Sequence, residues 1–259
     1  MIFNIINFVN EYKSIKMNDT IIIIPARIGS TRLPRKPLLK INGREMILHV
    51  WDKAKKTKAG RVVVASDSPE IAEVISKEGG EAIITSTAHQ SGTDRIYEAL
   101  NKLDNEKSYK YVINLQGDLP NITSSIINLG IDKIRNTNAD ILTYYREIDD
   151  KNEVSNPNIV KIATHRDKNN ELNALYFSRA AIPYDANVFF EHIGLYVYKR
   201  NALDRFVSMD PSTLETTEKL EQLRALGGSM KINLLLVHDK IISIDTIDDV
   251  ERLSNISDN

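Results

Sequence analysis

The chain has 259 residues, enough for one large α/β domain or two small ones, and its 42% hydrophobic and 27% charged residues are typical of a soluble globular protein. The 34 Lys and Arg residues nearly balance the 35 Asp and Glu residues, so the net charge of -1 creates no global field that favours nucleic acid or an anionic membrane. The absence of cysteine excludes disulfides, thiolate nucleophiles and Cys-based zinc sites, and it fits a reducing, cytoplasmic compartment.

The N-terminal segment has a short apolar stretch that Asn4, Asn7 and Asn10 interrupt, with no basic residues before it. This pattern fits neither a secretory signal peptide nor a membrane span. Met17 stands just before the first predicted strand, so residues 1–16 are interpreted either as an extension or as a misassigned start. We expect residues 1–19 to precede a single folded domain over 20–259.

Strand and helix signals alternate through the first half of the chain. The run Ile21–Ile24 is continuous and β-branched, which is typical of a strand buried on both faces. Further strands are predicted at Arg61–Ala65, Glu81–Thr85, Tyr111–Leu115 and Asp140–Tyr144. Helices are predicted at Met46–Lys56, Pro69–Lys77 after an N-cap at Ser68, Asp94–Leu103 and Thr123–Arg135. This alternation predicts an α/β fold with a doubly wound, mostly parallel sheet, whose βα loops share one ligand-binding edge.

The second half is less regular and predicts a smaller lobe of mixed or antiparallel strands. Its strands are predicted at Ile159–Thr164, Asn173–Tyr176, His192–Tyr198, Lys231–Val237 and Ile241–Ile244. Its helices are predicted at Ala202–Val207, Glu215–Leu226 and after Asp245-Thr246. The domain therefore divides into a first half of about 20–145, a lobe of about 146–230 and a return to the central sheet over 231–259.

A cationic loop, Pro25–Leu38 (PARIGSTRLPRKPL), follows the first strand. It brings four cations and the small residues of Gly29–Thr31 together within ten residues; the cations are Arg27, Arg32, Arg35 and Lys36. Backbone N–H groups and guanidinium side chains in such a loop bind polyphosphate well. The segment is not a P-loop, because the G-x-x-x-x-G-K-[ST] pattern is absent. The alternative is a solvated basic surface, although Pro34 and Pro37 restrict the backbone around the cations.

Two distant aspartates are candidate metal ligands. Asp118 follows the buried strand Tyr111–Leu115 in the turn Gln116-Gly117-Asp118, and Asp245 follows the predicted strand Ile241–Ile244. Strands of one sheet would bring both carboxylates to the ligand-binding edge, and Mg²⁺ takes one or two carboxylates together with substrate oxygens and waters. The alternative is that each aspartate caps the helix after it. Asp248 and Asp249 fit the first turn of the last helix, where they favour its dipole.

The motif PAR-x-x-S-T-R-L-P-x-K-P-L after a strand resembles the cytidylyltransferases that activate acidic sugars. Among them the chain is most similar to the CMP-Kdo synthetase (3-deoxy-manno-octulosonate cytidylyltransferase) family, in which Kdo is an eight-carbon sugar acid. The resemblance runs from about Thr20 to Leu253. Its further motifs are ASDSPEIA (Ala65–Ala72), HQSGTDR (His89–Arg95), NLQGDLP (Asn114–Pro120), NPNIVK (Asn156–Lys161), LYFSRAAIP (Leu175–Pro183), HIGLYVY (His192–Tyr198), LEQLRAL (Leu220–Leu226) and IDTIDDVERL (Ile244–Leu253).

The resemblance implies a nucleotide-diphospho-sugar transferase-like fold and a cytoplasmic homodimer. It implies Mg²⁺-dependent transfer of the cytidylyl group from CTP to Kdo, which gives CMP-Kdo and pyrophosphate for lipopolysaccharide biosynthesis in a Gram-negative bacterium. The first half would bind the nucleotide, and the lobe would bind the sugar and form the dimer. Neither nucleic acid nor a membrane is an expected partner.

The resemblance also assigns site residues by role. The implied metal ligands are Asp118 and Asp245, and the catalytic set adds Lys36 and Arg27. The implied CTP-binding residues are Arg27, Ser30, Arg32, Lys36, Asp67, Ser91, Gly92 and Thr93. The Kdo-binding candidates are Arg95, Gln116, Arg179, His192, Tyr196, Glu221 and Gln222.

The sugar acid needs a cation for its carboxylate, and a guanidinium fork matches that group well. Arg179 and Arg95 are the candidates for this contact. In the alternative interpretations Arg95 pairs with Asp94 or Glu98 on a helix surface, Gln222 is solvated, and His192 is a core or surface histidine. No dedicated catalytic base is evident.

The chain departs from the family pattern at three positions. Leu119 stands where Glu is usual after the QGD aspartate, Arg35 where Gly is common, and Glu191 where the family has Arg. Alternatives within the class are a cytidylyltransferase for sialic acid or for 8-amino-Kdo, and a hexose-1-phosphate nucleotidyltransferase, which Ile24–Arg27 disfavours because it lacks a G-x-G-T-R loop. An inactive nucleotide-binding homologue is the alternative outside enzymes, and Leu119 is the one feature in its favour.

Overall fold

The computed structural model describes residues 19–29, 33–57 and 59–257. Two compact units divide the chain. The first runs to Asn128 and resumes at Ile242, and the second covers Leu129–Ile241. The predicted extension before residue 19 lies outside the described residues. Within the described part of the chain, no helix combines the length and the apolar character needed to cross a bilayer.

The first unit is built on parallel strands. Its described strands are β1 (Thr20–Ala26), β2 (Lys40–Ile41), β3 (Arg44–Glu45), β4 (Arg61–Ser66), β5 (Glu81–Ile84) and β6 (Tyr111–Asn114). Four of them pair in parallel in the order β5, β4, β1, β6, and β2 and β3 form a small hairpin that the sequence did not predict. All seven residues of β1 are buried, as its β-branched run predicts. The carboxyl ends of the four parallel strands therefore share one edge.

Amphipathic helices connect these strands. They are α1 (Met46–Lys56), α2 (Pro69–Lys77), α3 (Gly92–Leu103) and α4 (Ser124–Arg135), which begins in the first unit and ends in the second. Ser68 occupies the N-cap position of α2, and the helix stops before Gly79, whose φ of 75° favours glycine. The predicted helices are confirmed, since apolar spacing and terminal signals agree along this half. The α/β class is confirmed with them.

The second unit mixes strand directions. Its strands are β7 (Ile141–Glu147), β8 (Lys161–Arg166), β9 (Leu172–Ser178), β10 (Phe190–Lys199) and β11 (Ile232–Leu236). β11 is parallel to β7, whereas β7–β10, β8–β9 and β9–β11 are antiparallel. The sequence predicted that β7 belongs to the first half of the domain, whereas β7 pairs with β10 and β11 and lies in the second unit.

The described helices of the second unit, after the end of α4, are α5 (Lys151–Val154), α6 (Arg200–Val207), α7 (Thr213–Glu218) and α8 (Gln222–Gly227). The single helix predicted over Glu215–Leu226 is wrong. Lys219 takes a left-handed conformation with φ 56° and ends α7, and a second helix starts three residues later. Local composition favours helix throughout, so the break has no clear sequence signal.

The strand predicted at Ile241–Ile244 is also wrong, because this segment is not in a ladder. The Ile242 N–H donates to the side chain of Asn121, and the Ile244 N–H donates to the carbonyl of Asp118 at 3.0 Å. Ile242 and Ile244 pack in a buried cluster with four other apolar residues, Leu33, Ile41, Met46 and Leu253. The final helix, α9 (Ile247–Ser257), follows as predicted.

Candidate active site

A cavity of about 360 Å³ lies at the carboxyl ends of the parallel strands of the first unit. Its walls include the end of β1, the loop before α3 and the turn after β6, together with parts of the cationic loop, α1 and α3 and the residue Asp245. The lining residues are Pro25, Ala26, Arg27, Lys36, Pro37, Met46, His89, Gln90, Ser91, Gly92, Arg95, Gln116, Gly117, Asp118 and Asp245. Its position is the one at which open α/β sheets bind ligands.

Lys36 joins the two aspartates that the sequence singles out. Its Nζ lies 2.8 Å from Asp118 Oδ2 and 3.1 Å from Asp245 Oδ1. Burial alone would lower the pKa of Lys36, but the charges and hydrogen bonds of Asp118 and then of Asp245 outweigh it, so this pKa lies above its usual range. The ammonium is therefore charged, and two residues 127 positions apart in the chain meet at one cation.

The turn after β6 brings Asp118 into this position. A Cβ atom on Gly117 would lie 2.9 Å from the carbonyl oxygen of Pro25 and 3.1 Å from Ile47, so only glycine fits against β1. Asp245 comes directly after Ile244, whose backbone N–H donates to the carbonyl of Asp118 and so keeps the two aspartates close together. Asp249, in the first turn of the last helix, accepts the N–H groups of Asp245 and Thr246 with its carboxylate.

The described part of the cationic loop places Arg27 and Lys36 at the cavity and Arg35 away from it. Arg27 is exposed there. Arg35 pairs with Glu70 on the surface, and both side chains are about half exposed. Ser30 and Arg32, predicted to bind CTP, lie outside the described residues.

The other nucleotide candidates differ in accessibility. Ser91 and Gly92 line the cavity at the start of α3, where Ser91 is the N-cap and its Oγ accepts the Asp94 N–H at 3.1 Å. Thr93 is buried, and its Oγ1 accepts a hydrogen bond from Asn114 at 3.2 Å. Asp67 faces inward rather than into the cavity, with its carboxylate bonded to Arg95 and to the Ile28 N–H.

Of the sugar candidates, Arg95 and Gln116 lie in the first unit and line the cavity. Arg95 is not a surface partner of Asp94 or Glu98, because its side chain is 3% exposed and its ion pair is with Asp67. Gln116 Nε2 donates to Asn114 Oδ1 at 2.8 Å. The remaining five candidates belong to the second unit.

Within the second unit His192 and Tyr196 lie together, with ring centroids 5.4 Å apart. Burial lowers the pKa of His192 to about 3, so its ring is neutral, and the ring contacts Thr143 Oγ1 at 2.9 Å. Burial, and then the neighbouring Tyr198 and Glu221, raise the pKa of Tyr196 well above its usual range. The Glu221 carboxylate is therefore close enough to interact electrostatically with the Tyr196 hydroxyl.

The last two sugar candidates have clear settings. Gln222 is buried at the start of α8, so the solvated alternative for it is wrong. Arg179 spans two backbone carbonyls, donating to Glu218 O at 3.0 Å and to Pro157 O at 2.8 Å. These bonds fix the direction of its guanidinium.

Two departures from the family pattern have structural settings. Leu119 is 3% exposed and so belongs to the core next to Asp118. Glu191 is bonded to the buried Arg146 at 2.6 Å, and Arg146 also reaches Glu153 at 3.0 Å. A carboxylate at position 191 is thus matched by a local cation.

Some lining residues were absent from the predicted site. His89 lines the cavity while its Nε2 contacts Glu98, and Met46 contributes from the start of α1. The motif HQSGTDR contains His89, so its presence could have been inferred from the loop. Met46 carries no such signal, because an apolar residue at a helix start is ordinarily core.

The chain is similar to known cytidylyltransferases. A family profile described as Cytidylyltransferase matches residues 21–232. The 3-deoxy-manno-octulosonate cytidylyltransferases of Bartonella bacilliformis and Bartonella quintana are 47% and 48% identical over 236 residues, covering 91% of this chain and 97% of each relative. The fold and these likenesses define the class as a nucleotidyltransferase.

Solved structures agree as well. The structure of CMP:2-keto-3-deoxy-manno-octonic acid synthetase complexed with CTP has a TM-score of 0.84 and 33% identity, covering 93% of this chain and 99% of that one. A 4-diphosphocytidyl-2C-methyl-D-erythritol synthase from Anaerococcus prevotii, at 12% identity and a TM-score of 0.64, shares the fold alone. The chain belongs to the cytidylyltransferase family.

Proposed function

We propose that this protein transfers the cytidylyl group of CTP to Kdo, giving CMP-Kdo and pyrophosphate for lipopolysaccharide biosynthesis. The observation that carries the proposal is the meeting of Lys36, Asp118 and Asp245 in a cavity of a cytidylyltransferase fold. Relatives that match nearly the whole chain are 3-deoxy-manno-octulosonate cytidylyltransferases, and a structural neighbour was solved with CTP.

The cations of the cavity would hold the triphosphate. Arg27 and Lys36 supply positive charge, and the N-terminus of α3 at Ser91 and Gly92 presents backbone N–H groups. These groups suit the phosphate oxygens, on which most of the charge of CTP resides. Ser30 and Arg32 are proposed to add to the same contact.

Asp118 and Asp245 fit a divalent cation. Their carboxylates already converge on one cation, the ammonium of Lys36, and carboxylate oxygens are the ligands that Mg²⁺ prefers. The described part of the chain holds no group of three or more potential ligands, so substrate oxygens and water would complete the shell. Bound Mg²⁺ would supply charge stabilisation for the phosphate in the transition state.

The anomeric hydroxyl oxygen of Kdo attacks the α-phosphorus of CTP and forms the new P–O bond. The bond from that phosphorus to pyrophosphate breaks, and the hydroxyl proton passes to water. Lys36 and Arg27 are proposed to stabilise the charge that develops on the phosphates, because both cationic residues line the cavity. Such groups act most strongly when they point at the charge that the transition state develops.

Six of the seven predicted candidates are proposed to bind Kdo, namely Gln116 of the first unit and the five of the second unit, whereas Arg95 is held in its ion pair with Asp67. Neutral His192 can donate or accept one hydrogen bond at each ring nitrogen but cannot neutralise a carboxylate. The carboxylate of Kdo therefore needs a guanidinium, and Arg179 is the candidate. Within the described part of the chain its Nη2 has no hydrogen-bond partner, so the fork keeps donors for a ligand.

The activity test is a pyrophosphate-release assay with CTP and a panel of sugar acids: Kdo, 8-amino-Kdo and sialic acid. We expect turnover with Kdo and much less with sialic acid. Turnover of another sugar acid in preference to Kdo would correct the substrate, and turnover of none would favour the inactive homologue.

The site test compares three variants with the parent protein. Asp118→Asn and Asp245→Asn should each lower kcat by at least ~100-fold, comparable to the loss of one electrostatic group. Lys36→Ala should lower kcat/KM for CTP by roughly ten- to a hundred-fold, because a charge-assisted hydrogen bond is lost.

Chelation should abolish turnover, and Mg²⁺ or Mn²⁺ should restore it. Full activity after chelation would remove the metal from the proposal.

Three broader features complete the proposal. Helices on both faces of the parallel strands would make the sheet doubly wound, which right-handed crossovers support. We propose a homodimer, to be tested by light scattering after size exclusion. A cytoplasmic location is supported by the supply of CTP there and by the lack of cysteine.

A further inference from the structure

A buried ion pair lies at the wall of the cavity, which its Arg95 lines. Arg95 Nη2 is 3.1 Å from Asp67 Oδ2, and the two side chains are 3% and 10% exposed. The other oxygen of Asp67 accepts the Ile28 N–H at 3.0 Å. Arg95 Nη1 donates to Thr85 Oγ1 at 2.7 Å and to the Ser86 carbonyl at 3.3 Å.

These bonds join four separate segments at one edge of the sheet. Ile28 follows β1, Asp67 follows β4, Thr85 and Ser86 follow β5, and Arg95 belongs to α3. One carboxylate and one guanidinium thus link the three loops that leave neighbouring parallel strands. A planar fork with fixed donor directions can make such a junction, whereas an ammonium cannot match its geometry.

Both ends of this junction adjoin residues that line the cavity. Ile28 is next to Arg27, and Ser86 begins the loop that reaches His89 and Ser91. The backbone bond from Arg35 N–H to Ile28 O, at 3.3 Å, closes the same loop further along. The position of the cationic loop at Ile28 therefore depends on the carboxylate of Asp67.

We infer that Asp67 and Arg95 are positioning residues. They hold the loop after β1 and the loop after β5 in place for the nucleotide, and neither residue binds a substrate directly. This inference rests on the proposed function for its kinetic readout. It replaces the sequence-based assignments of Asp67 to CTP and of Arg95 to the carboxylate of Kdo. Their side chains are bonded to each other and to the loops; Arg95 lines the cavity, but only 3% of its side chain and 10% of that of Asp67 are exposed.

The test uses Asp67→Asn and Arg95→Lys. Asn keeps an acceptor for the Ile28 N–H but loses the charge that Arg95 faces, and Lys keeps the charge but loses the fork. Because a displacement of about 1 Å at a site can cost ~100-fold in rate, we expect kcat/KM for CTP to fall by at least ~10-fold in both. The KM for Kdo should change by less than about two-fold.

The matched control is Glu81→Gln. Glu81 at the start of β5 bonds Arg61 at the start of β4, at the opposite ends of the same two strands, with side chains about 40% exposed. Its loss should leave both KM values unchanged. The double variant Asp67→Asn/Arg95→Lys should lose less than the product of the two single losses, because the two residues act as one unit.

Each outcome supports or overturns the positioning role of Asp67 and Arg95. A selective rise in the KM for Kdo in Arg95→Lys would make Arg95 a sugar ligand and overturn the inference. Equal losses of Tm in all variants with unchanged KM for CTP would reduce the pair to a structural role. CTP binding by calorimetry gives a second readout without turnover: weaker binding in Asp67→Asn and Arg95→Lys, beside a parent protein that binds CTP but turns over no Kdo, would support the inference while the proposed function fails.

Discussion

Arg35 has a left-handed backbone conformation, which favours glycine. Its φ of 59° and ψ of 26° lie in the left-handed region, where a Cβ crowds the following carbonyl at about 1–2 kcal/mol. The family commonly has glycine here, which adopts this conformation freely. The side chain gains only the exposed pair with Glu70, and exposed pairs contribute about 0–1 kcal/mol.

We therefore expect Arg35→Gly to be more stable than Arg35→Ala by about 1 kcal/mol, since Ala keeps the strain and both variants lose the ion pair. Urea unfolding of the two variants measures the difference directly. Both should bind CTP like the parent protein, because Arg35 does not line the cavity. A less stable Gly variant would mean that the entropy of glycine in the unfolded chain outweighs the strain.

His192 makes stability depend on pH. Its pKa is lowered to about 3 by burial, against about 6.5 in an unfolded chain, so the unfolded state binds the proton more readily. Stability is then complete above pH ~6.5 and falls as the pH drops towards ~3, by up to about 1.4 kcal/mol per pH unit. The loss between pH 7 and 5 should be about 2 kcal/mol smaller in His192→Gln. Urea unfolding at several pH values checks this, and parallel curves would contradict it.

At the scale of single residues, the sequence located the cavity better than it assigned roles. Strand ends placed Asp118, and the motif after β1 placed Lys36, because parallel strands bring their loops to one edge. The meeting of Lys36 with both aspartates could not be derived, since it depends on an irregular segment. The inward direction of Asp67 and Arg95 also depends on long-range partners that a local pattern does not specify.

At the scale of elements, α7 shows how local bonds decide a boundary. Ser212 and Glu215 form a reciprocal capping box at its start, with the Glu215 N–H 3.1 Å from Ser212 Oγ. Glu215 also binds Arg224 of α8 through two bonds, at 2.9 and 2.6 Å. The same carboxylate thus begins one helix and holds the next.

Ser212→Ala should lower the free energy of unfolding by about 1 kcal/mol, the usual effect of losing an N-cap. Ser212→Thr keeps a hydroxyl and should recover most of it. Chemical denaturation of both variants distinguishes the effect of losing the capping hydroxyl from the effect of changing the size of the side chain. If Thr and Ala were equally destabilising, the hydroxyl would not be the source of the effect.

Regular elements were the most predictable part of the fold. The bounds of α1 and α2 follow from apolar spacing and terminal residues, and β1 follows from its β-branched run. The failures have a common cause. At Ile241–Ile244 an apolar run is buried by a side-chain cluster instead of a ladder, and at Lys219 a left-handed residue interrupts a helical composition.

At the scale of the whole molecule, the folded domain should not need its first residues. A protein that starts at Met17 should keep the Tm, the activity and the oligomeric state of the full chain, because the segment has no periodic apolar face and precedes β1. Calorimetry and light scattering compare the two lengths. A markedly lower Tm, or a change of oligomeric state, would show that residues 1–16 pack on the domain.

The shared contacts of Lys36 have a thermodynamic consequence. A divalent cation that takes the carboxylates of Asp118 and Asp245 must first displace an internal counterion, whereas nucleotide phosphates would draw that ammonium away. Nucleotide and cation should therefore bind with positive cooperativity, and reciprocity requires each to tighten the other by the same factor. Mn²⁺ titration with and without a non-hydrolysable CTP analogue measures that factor. In Lys36→Met, Mn²⁺ alone should bind more tightly and the cooperativity should shrink; unchanged cooperativity would place its origin in direct contact between the metal and the phosphates.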